Sequence, residues 1–269
     1  MSEKITVIGS GMMGNAIIKS LLKSNIAPSS LTAVDIQAEK LTEFKTLGTK
    51  ISTDNTKAAK EATIIFVIVK PGDVAKVLND IKDESKGKLI ISAAATVPLN
   101  YLKKYAPESK IVRIMPNLCA MVQAAYTAYC CTENLTPQDK ETIKNLLNMM
   151  GTCDEVEEKY MDAITAVSGS GPGYLSIIIE ALTYAGLKVG LPRNIALNCA
   201  AQTVLGTGKL VVDLHEDPAH IKDMTTTPGG TTIEAIYQIE QSQIRPAMIR
   251  AIEEATKKSQ TIREKLNLQ

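Results

Sequence analysis

Residues 4–14, Lys-Ile-Thr-Val-Ile-Gly-Ser-Gly-Met-Met-Gly, decide the fold of this chain. The β-branched run at residues 4–8 predicts a short buried strand. A Gly-x-Gly-x-x-Gly loop follows at residues 9–14, and apolar residues continue at helical spacing from Asn15 to Ser24. A strand, a glycine loop and a helix in this order predict the start of a βαβ unit whose loop holds a dinucleotide.

Each glycine of this loop has its own physical role. Gly9 permits the tight turn, Gly11 lets a pyrophosphate approach the backbone, and Gly14 lets the helix pack against the strand. Free N–H groups at the helix start, around Met12 and Met13, then bind phosphate. A glycine-rich βα turn without a ligand has the same pattern, so the loop by itself leaves that alternative open.

Asp35 lies 21 residues after Gly14, at the end of the second predicted strand. An acid at this position accepts a hydrogen bond from the ribose 2′-OH of NAD, and it repels the 2′-phosphate of NADP. No Lys or Arg follows until Lys40. The residue therefore favours NADH over NADPH without excluding NADPH; the alternative is an ordinary surface-turn Asp.

Predicted strands and helices alternate along the first part of the chain, which favours an α/β fold with a Rossmann-type, doubly wound parallel sheet. After about residue 158 no strand is predicted, and residues 173–189 are apolar on nearly every face. A helix of that kind must be buried, and a second subunit is one source of the covering surface. We predict a dinucleotide-binding domain at 1–158 and an all-helical substrate and dimerisation domain at 159–269. The predicted strands are 4–8, 31–34, 63–69, 89–94, 111–115, 125–131 and 152–156, and the predicted helices are 15–24, 38–47, 74–81, 135–150, 173–189, 232–242 and 246–266, with another long helix from Pro192.

Composition limits the classes of partner. The 30 Lys and Arg against 29 Asp and Glu leave a net charge of +1, which gives no electrostatic reason to expect nucleic acid or an acidic membrane. The N-terminus does not resemble a signal peptide, and no apolar run approaches the ~18 residues of a membrane span, so we expect a cytoplasmic protein.

Cysteine and histidine spacing predicts no metal site. The five cysteines include no C-x-x-C pair, so we expect small apolar side chains rather than ligands. His215 and His220 are too far apart for the H-E-x-x-H pattern, and Pro218 lies between them.

Three later segments resemble the pyrroline-5-carboxylate reductase family. Residues 69–71, Val-Lys-Pro, are similar to the family's Val-Lys-Pro at the end of a central strand. Residues 166–174, Ala-Val-Ser-Gly-Ser-Gly-Pro-Gly-Tyr, resemble its Gly-Ser-Gly-Pro-Ala-Tyr segment, and residues 223–232, Asp-Met-Thr-Thr-Thr-Pro-Gly-Gly-Thr-Thr, resemble the signature around Ser-Pro-Gly-Gly-Thr-Thr. The resemblance extends along the whole chain. It implies NAD(P)H-dependent reduction of 1-pyrroline-5-carboxylate to L-proline, the last step of proline biosynthesis, by a homodimer or higher homo-oligomer.

The resemblance also implies roles for individual residues. Departures from the family pattern are Asn117-Leu118-Cys119 in place of Asn-Thr-Pro, Thr227 where Ser is common, and Gly173 for Ala. Catalytic roles fall to Thr232, beside the ring nitrogen, and to Lys70, near the cofactor. Substrate binding falls to Thr227, Gly229, Gly230, Thr231, Thr232 and Ser170. Cofactor binding falls to Gly9, Gly11, Met12, Met13, Gly14, Asp35, Asn55, Val69, Lys70, Pro71, Met115, Pro116 and Asn117.

The segment 227–232 suits a carboxylate because two glycines expose backbone N–H groups and a helix is predicted to start near Thr232. The alternative is an ordinary turn with a Thr N-cap. For Lys70 the alternative is a solvated lysine at a strand end, and for residues 168–172 it is a helix-entry turn.

Two other functions compete with this interpretation. A β-hydroxyacid dehydrogenase or ketopantoate reductase shares the glycine loop but needs a catalytic Lys in the helical domain, and no Lys lies between Tyr160 and Leu187. A non-enzymatic redox sensor would bind the dinucleotide alone. The intact 227–232 segment argues against the sensor, because a sensor needs no substrate carboxylate site.

Overall fold

The computed structural model describes residues 3–265, so the predicted helix end at Leu266 and the outer ends of both predicted domains lie outside the described residues. Eight strands in this part of the chain form one sheet. The strands are β1 (Ile5–Ile8), β2 (Leu31–Val34), β3 (Lys50–Ser52), β4 (Ile64–Val67), β5 (Leu89–Ser92), β6 (Lys110–Met115), β7 (Ala125–Cys131) and β8 (Gly151–Glu155). The helices are α1 (Met12–Lys23), α2 (Thr42–Thr46), α3 (Asn55–Glu61), α4 (Val74–Asp80), α5 (Leu99–Tyr105), α6 (Pro137–Asn148), α7 (Met161–Ile164), α8 (Gly171–Lys188), α9 (Arg193–Leu214), α10 (Pro218–Met224), α11 (Thr231–Gln241) and α12 (Ile244–Lys265). Short 3₁₀ turns lie at Pro28–Ser30, Ala38–Leu41, Pro71–Asp73, Leu118–Val122 and Glu158–Tyr160, and a π-helical turn at Thr165–Gly169.

The sheet order is β3-β2-β1-β4-β5-β6-β7-β8. Strands β1 to β6 run parallel, β7 is antiparallel to β6, and β8 is parallel to β7. Ile8 at the end of β1 pairs with Val34 of β2 on one side and with Val67 of β4 on the other. The chain order reverses at β1, so a crevice opens at the carboxyl ends of these three strands, where such folds bind ligands.

Both faces of the sheet are covered, which confirms the predicted doubly wound α/β architecture. Val7 packs on one face among apolar side chains of α1 and α6, such as Ile17 and Leu147. Ile8 packs on the other face with side chains of α3 and α4, such as Ala59 and Leu78. The near-continuous apolar strands follow from this burial on two sides.

Five elements were not predicted from the sequence: β3, α3, α5, α7 and α10. Strand β3 has three residues with a mostly exposed pattern, too short to show a period. Helix α3 is largely polar, but the Asp54 side chain caps it by accepting a hydrogen bond from the Lys57 N–H at 3.0 Å. The helix predicted over 38–47 was wrong in form, because a 3₁₀ turn fills its first half and only α2 is α-helical.

Contacts divide the chain into two compact units. The first runs to Ser170 and resumes at Ala255, and the second comprises Gly171–Glu254. The division predicted between residues 158 and 159 stays a prediction. Within the first unit, the end of α12 is anchored on the buried Asp162, which accepts from Ser259 Oγ at 2.7 Å and lies 2.9 Å from Arg263 Nη1.

The second unit is entirely helical in the described chain. Helices α8 and α9 approach closely at Gly186, where a Cβ atom would lie 2.8 Å from Ala196 Cβ. The expectation that residues 173–189 are buried does not hold within one chain, because Ile177 is 64% exposed. Helix α9 is also long and apolar enough, by length and composition alone, to cross a membrane, and the core helix of a soluble protein passes the same test.

Candidate active site

A cavity of about 560 Å³ opens in the first unit at the carboxyl ends of β1, β2 and β4. Its walls come from the glycine loop, the turn after β2, the start of α3, and the segment from the end of β4 to the end of α4. The cavity brings together six of the residues predicted to bind the cofactor. These six are Gly9, Gly11, Asp35, Asn55, Val69 and Lys70.

The glycine loop has the geometry that a pyrophosphate requires. Gly9 has a φ of 99°, and a Cβ atom there would collide with the carbonyl oxygen of Ile68. A Cβ atom on Gly14 would collide with the carbonyl oxygen of Gly9. A Cβ atom on Gly11, by contrast, would meet nothing within 4 Å. Helix α1 starts without a side-chain cap or an acid in its first turn, so its first N–H groups are available to an anion.

Asp35 is fixed at the edge of the cavity. Its Oδ2 accepts from the Ser10 N–H at 2.9 Å and its Oδ1 from the Gln37 N–H at 3.0 Å. Lys40 Nζ lies 3.9 Å from Oδ1, and the side chain of Asp35 is 9% exposed. The carboxylate thus ties the turn after β2 to the glycine loop, and its free lone pairs are held in a set orientation.

Asn55 lies in the first turn of α3, and its side chain is held by Asp80, at the end of α4 on another wall of the cavity. Its Nδ2 donates to Asp80 Oδ2 at 3.2 Å, and the Thr56 hydroxyl donates to the carbonyl oxygen of Asp80 at 2.9 Å. Lys70 follows β4, is exposed, and precedes the 3₁₀ turn at Pro71–Asp73.

Other lining residues were missed by the sequence interpretation. Ile36 directly follows the predicted second strand, so its position after that strand was an available signal. Thr53 and Asp54 follow β3, and since that strand was not predicted, nothing pointed to them. The additional lining residues that carry polar or exposed side chains are Ile36, Gln37, Lys40, Thr53, Asp54, Thr56, Asp73, Lys76 and Asp80.

The segment 115–117 at the end of β6 does not line this cavity, although it was predicted to bind the cofactor. Met115 is buried, and a Cβ atom on Gly169 would lie 3.4 Å from its sulfur. The Asn117 side chain, 9% exposed, is hydrogen-bonded to Ser168. The fold therefore brings the end of β6 together with the turn that precedes Ser170, which was predicted to bind the substrate.

The segment 227–232 lies in the second unit and is built around its glycines. Gly229 has a φ of 67°, and the Gly230 N–H donates to the carbonyl oxygen of Thr227 at 3.0 Å. Gly230 is the N-cap of α11, and no side chain caps that helix. The alternative of a Thr N-cap is therefore not what forms. The hydroxyls of Thr231 and Thr232 make no hydrogen bond within the described residues, and the first N–H groups of α11 have no side-chain partner.

Two cysteine thiols of the first unit lie in surroundings that keep them protonated. Burial, aided by the charge of Glu158, raises the pKa of Cys130 to about 12. Burial and a hydrogen bond to Glu155 raise the pKa of Cys131 to about 11. Neither thiol is a nucleophile at neutral pH, because only the thiolate attacks. In the part of the chain that the structure describes, no group of three His, Cys, Asp or Glu side chains could hold a metal ion.

Two family models match the chain. One, described as pyrroline-5-carboxylate reductase dimerisation, matches residues 158–262. The other, described as NADP oxidoreductase coenzyme F420-dependent, matches residues 4–96.

Relatives resemble the chain over nearly its full length. A pyrroline-5-carboxylate reductase of Methanosarcina acetivorans is 37% identical over 98% of this chain and 99% of its own. The Coxiella burnetii pyrroline-5-carboxylate reductase has a TM-score of 0.90 at 30% identity, with 97% of this chain and 98% of that chain covered. The Plasmodium falciparum pyrroline carboxylate reductase with NADP bound has a TM-score of 0.87 at 31% identity, with 96% and 97% covered.

Proposed function

The chain belongs to the pyrroline-5-carboxylate reductase family, and we propose that it catalyses the family reaction, the NAD(P)H-dependent reduction of 1-pyrroline-5-carboxylate to L-proline. In this reaction a hydride adds to the carbon of the cyclic C=N bond, and the ring nitrogen ends with a proton, so an imine becomes a secondary amine. The observation that carries the proposal is the nearly full-length similarity to proteins named pyrroline-5-carboxylate reductase, together with an open glycine loop beside a cavity.

The first unit binds the dinucleotide. The uncapped N–H groups at Gly11, Met12 and Met13 hold the pyrophosphate, and Asn55 contacts the adenosine part. When bound, the reduced nicotinamide supplies the hydride. The residues that border its end of the site are Val69, Lys70, Pro71, Met115, Pro116 and Asn117.

NADH is the preferred cofactor because of Asp35. Its carboxylate is fixed by two backbone N–H groups, so it can accept from a ribose hydroxyl without reorienting. The same fixed charge repels a 2′-phosphate. Lys40, at 3.9 Å from Asp35, offsets part of this repulsion, and for that reason NADPH remains usable.

The loop 227–232 of the second unit binds the substrate. Backbone N–H groups at Gly229 and Gly230 and the hydroxyls of Thr227 and Thr231 receive the carboxylate, supported by the start of α11. Thr232 hydrogen-bonds the ring nitrogen, and Ser170 adds a donor. No strong acid is required, because the imine is readily protonated in water.

The active protein is a homodimer or a higher homo-oligomer that works in the cytoplasm. The family model described as dimerisation and the exposed apolar side chains of α8 and α9 support the oligomeric state.

One assay tests the reaction. Purified protein is mixed with 1-pyrroline-5-carboxylate and NADH or NADPH, and the loss of absorbance at the nicotinamide band is followed, with formation of L-proline measured by chromatography. We expect turnover with both cofactors and a higher kcat/KM with NADH. No turnover with either cofactor would overturn the proposed reaction.

A further inference from the structure

Asn117 joins the end of β6 to the π-helical turn, and we propose that it is a positioning residue of the reductase rather than a side-chain ligand of the cofactor. Its amide holds the turn at 165–169, and with it Ser170, in register with the strand end beside which the nicotinamide is bound. The inference rests on the proposed function and deepens it.

The hydrogen bonds of Asn117 leave its amide no alternative orientation. Its Oδ1 accepts from the Cys119 N–H at 3.1 Å, which requires an oxygen on that side. The Nδ2 therefore points the other way, where it donates to the carbonyl oxygen of Ser168 at 3.2 Å and to Ser168 Oγ at 3.1 Å. The amide nitrogen thus donates only to Ser168, which lies 51 positions further along the chain.

Ser168 also forms a hydrogen bond to the neighbouring strand β7. Because its hydroxyl oxygen accepts from Asn117, its proton is free to donate to the carbonyl oxygen of Tyr126 on β7, 3.5 Å away. The result is a short chain of hydrogen bonds from the turn after β6, through residue 168, to β7. A chain of this kind fixes the turn in two directions.

The turn itself is irregular, which is why it needs support. The Ser170 N–H donates to the carbonyl oxygen of Thr165, an i to i−5 bond at 2.9 Å that closes a π-helical turn. Such single turns are rare and cluster at functional sites. Gly169 lets the turn lie directly against the Met115 sulfur, so the Asn117 bonds and this contact act on adjacent residues.

Positioning matters here because the protein has to align two rings. A displacement of ~1 Å in a bound reactant can cost on the order of 100-fold in rate. If the turn is released from β6, Ser170 loses its fixed relation to the strand end. The alignment of hydride transfer then deteriorates while the glycine loop and Asp35, which hold the rest of the dinucleotide, are unaffected.

The test uses Asn117→Asp in the full-length protein. This change keeps the acceptor for Cys119 and replaces the two donors by an oxygen that repels the Ser168 carbonyl. We expect kcat to fall more than fivefold, the Kd of NADH by fluorescence to stay within twofold, and the isotope effect on kcat with NADH deuterated at C4 to increase, because hydride transfer becomes slower than product release.

Asn134→Asp is the matched control. Asn134 also bridges two segments, with Nδ2 donating to the Ser109 carbonyl oxygen at 3.2 Å and Oδ1 accepting from Thr132, but Ser109 precedes the start of β6, so Asn134 lies at the opposite end of that strand from Asn117. Its kinetics should equal those of the wild type. If Asn117→Asp does not fold, Ser168→Ala replaces it, with an expected fall in kcat of more than twofold at unchanged NADH affinity.

Three results overturn the role of Asn117. They are a smaller fall in kcat than stated, a weaker NADH affinity in Asn117→Asp, which would mark a direct cofactor contact, and an unchanged isotope effect. A wild-type protein without turnover overturns the proposed function and this role with it. A variant as fast as an active wild type overturns this role alone.

Discussion

Asp35 serves the structure of its loop and, under the proposed function, the recognition of the cofactor. The sequence suggested only the second role, from its spacing after Gly14. The structure adds that the carboxylate holds the Ser10 and Gln37 N–H groups, which makes its position in the cavity rigid. A substitution at this residue therefore has to preserve shape if it is to test charge alone.

Asp35→Asn removes the charge and keeps the shape, and it leaves one oxygen to accept from either the Ser10 or the Gln37 N–H. We expect the ratio of kcat/KM for NADPH to that for NADH to rise at least tenfold, since the repulsion of the 2′-phosphate is lost and Lys40 is left without its opposing charge. Steady-state kinetics with both cofactors measures the ratio. Asp73→Asn, at another acid of the cavity wall, should leave it within twofold; an equal rise in both variants would contradict the role given to Asp35.

Thr232→Val removes a hydroxyl that makes no hydrogen bond to any residue from 3 to 265. Loss of a hydrogen bond to a charged ring nitrogen costs about 1.5–3 kcal/mol, so kcat/KM for the imine should fall roughly 10–150-fold. Thermal unfolding should be unchanged. The control is Thr226→Val, because the Thr226 hydroxyl is already bonded to the Lys222 carbonyl oxygen at 2.7 Å. Kinetics like wild type in Thr232→Val would remove Thr232 from the site.

At the scale of elements, the start of α6 is an example of a helix boundary that nearby residues specify. The helix predicted over 135–150 begins at Pro137, where a capping box between Thr136 and Asp139 fixes its first turn. Asp139 also pairs with Lys110 at 2.7 Å, which links the helix to β6. Burial by itself would raise the pKa of the Asp139 carboxyl, but the hydrogen bonds from Lys110 and Thr136 outweigh it and hold the pKa below 3.8.

A carboxyl whose pKa is lowered by folding stabilises the protein above its unfolded pKa and loses this effect as pH falls through its folded pKa. Asp139→Asn should therefore cost about 1 kcal/mol of unfolding free energy at pH 7, through loss of the negative charge that pairs with Lys110 and faces the start of α6. Below the ordinary value of 3.8 the difference from wild type should shrink. Urea unfolding at both pH values measures it, with the exposed Asp83→Asn as control; a pH-independent difference would contradict the assignment.

Elements whose sequence has no hydrophobic periodicity were found only in the structure. Strand β3 is held by pairing with β2 at one edge of the sheet, and α3 by its Asp54 cap and the burial of Ala58 and Ala59. Neither has enough apolar residues to show a period. They nevertheless supply Thr53, Asp54, Asn55 and Thr56 to the cavity, so part of the site came from elements that sequence patterns do not reveal.

For the whole molecule, the main question is what covers α8 and α9. Ile177 is 64%, Leu205 54% and Val212 59% exposed within one chain. Large apolar side chains exposed together on two neighbouring helices are typical of an interface. We proposed a second copy as the partner, in line with the family model described as dimerisation that matches residues 158–262. Contact with a second copy would also account for the apolar composition of α9.

Leu205→Glu tests this at the level of assembly. A charge in an apolar interface is strongly unfavourable, so the molar mass from light scattering should fall toward one chain, 29.0 kDa. Leu47→Glu, at an exposed apolar residue of the first unit, is the control and should leave the mass unchanged. A wild type that is already monomeric, or that purifies only in detergent, would contradict the interface.

The sequence by itself determined the doubly wound sheet, the glycine loop, the helical second half and the family, because these depend on local periodicity and on residues that act through their own backbone. Only the tertiary structure decided which distant residues meet. It brings Asn55 to Asp80 and Asn117 to Ser168, and it places several lysines and acids in the same cavity wall as Asp35. The first two of these contacts join residues 25 and 51 positions apart, and no periodicity encodes which partners a strand order will bring together. That is why the fold was predictable from the chain while the role of Asn117 was not.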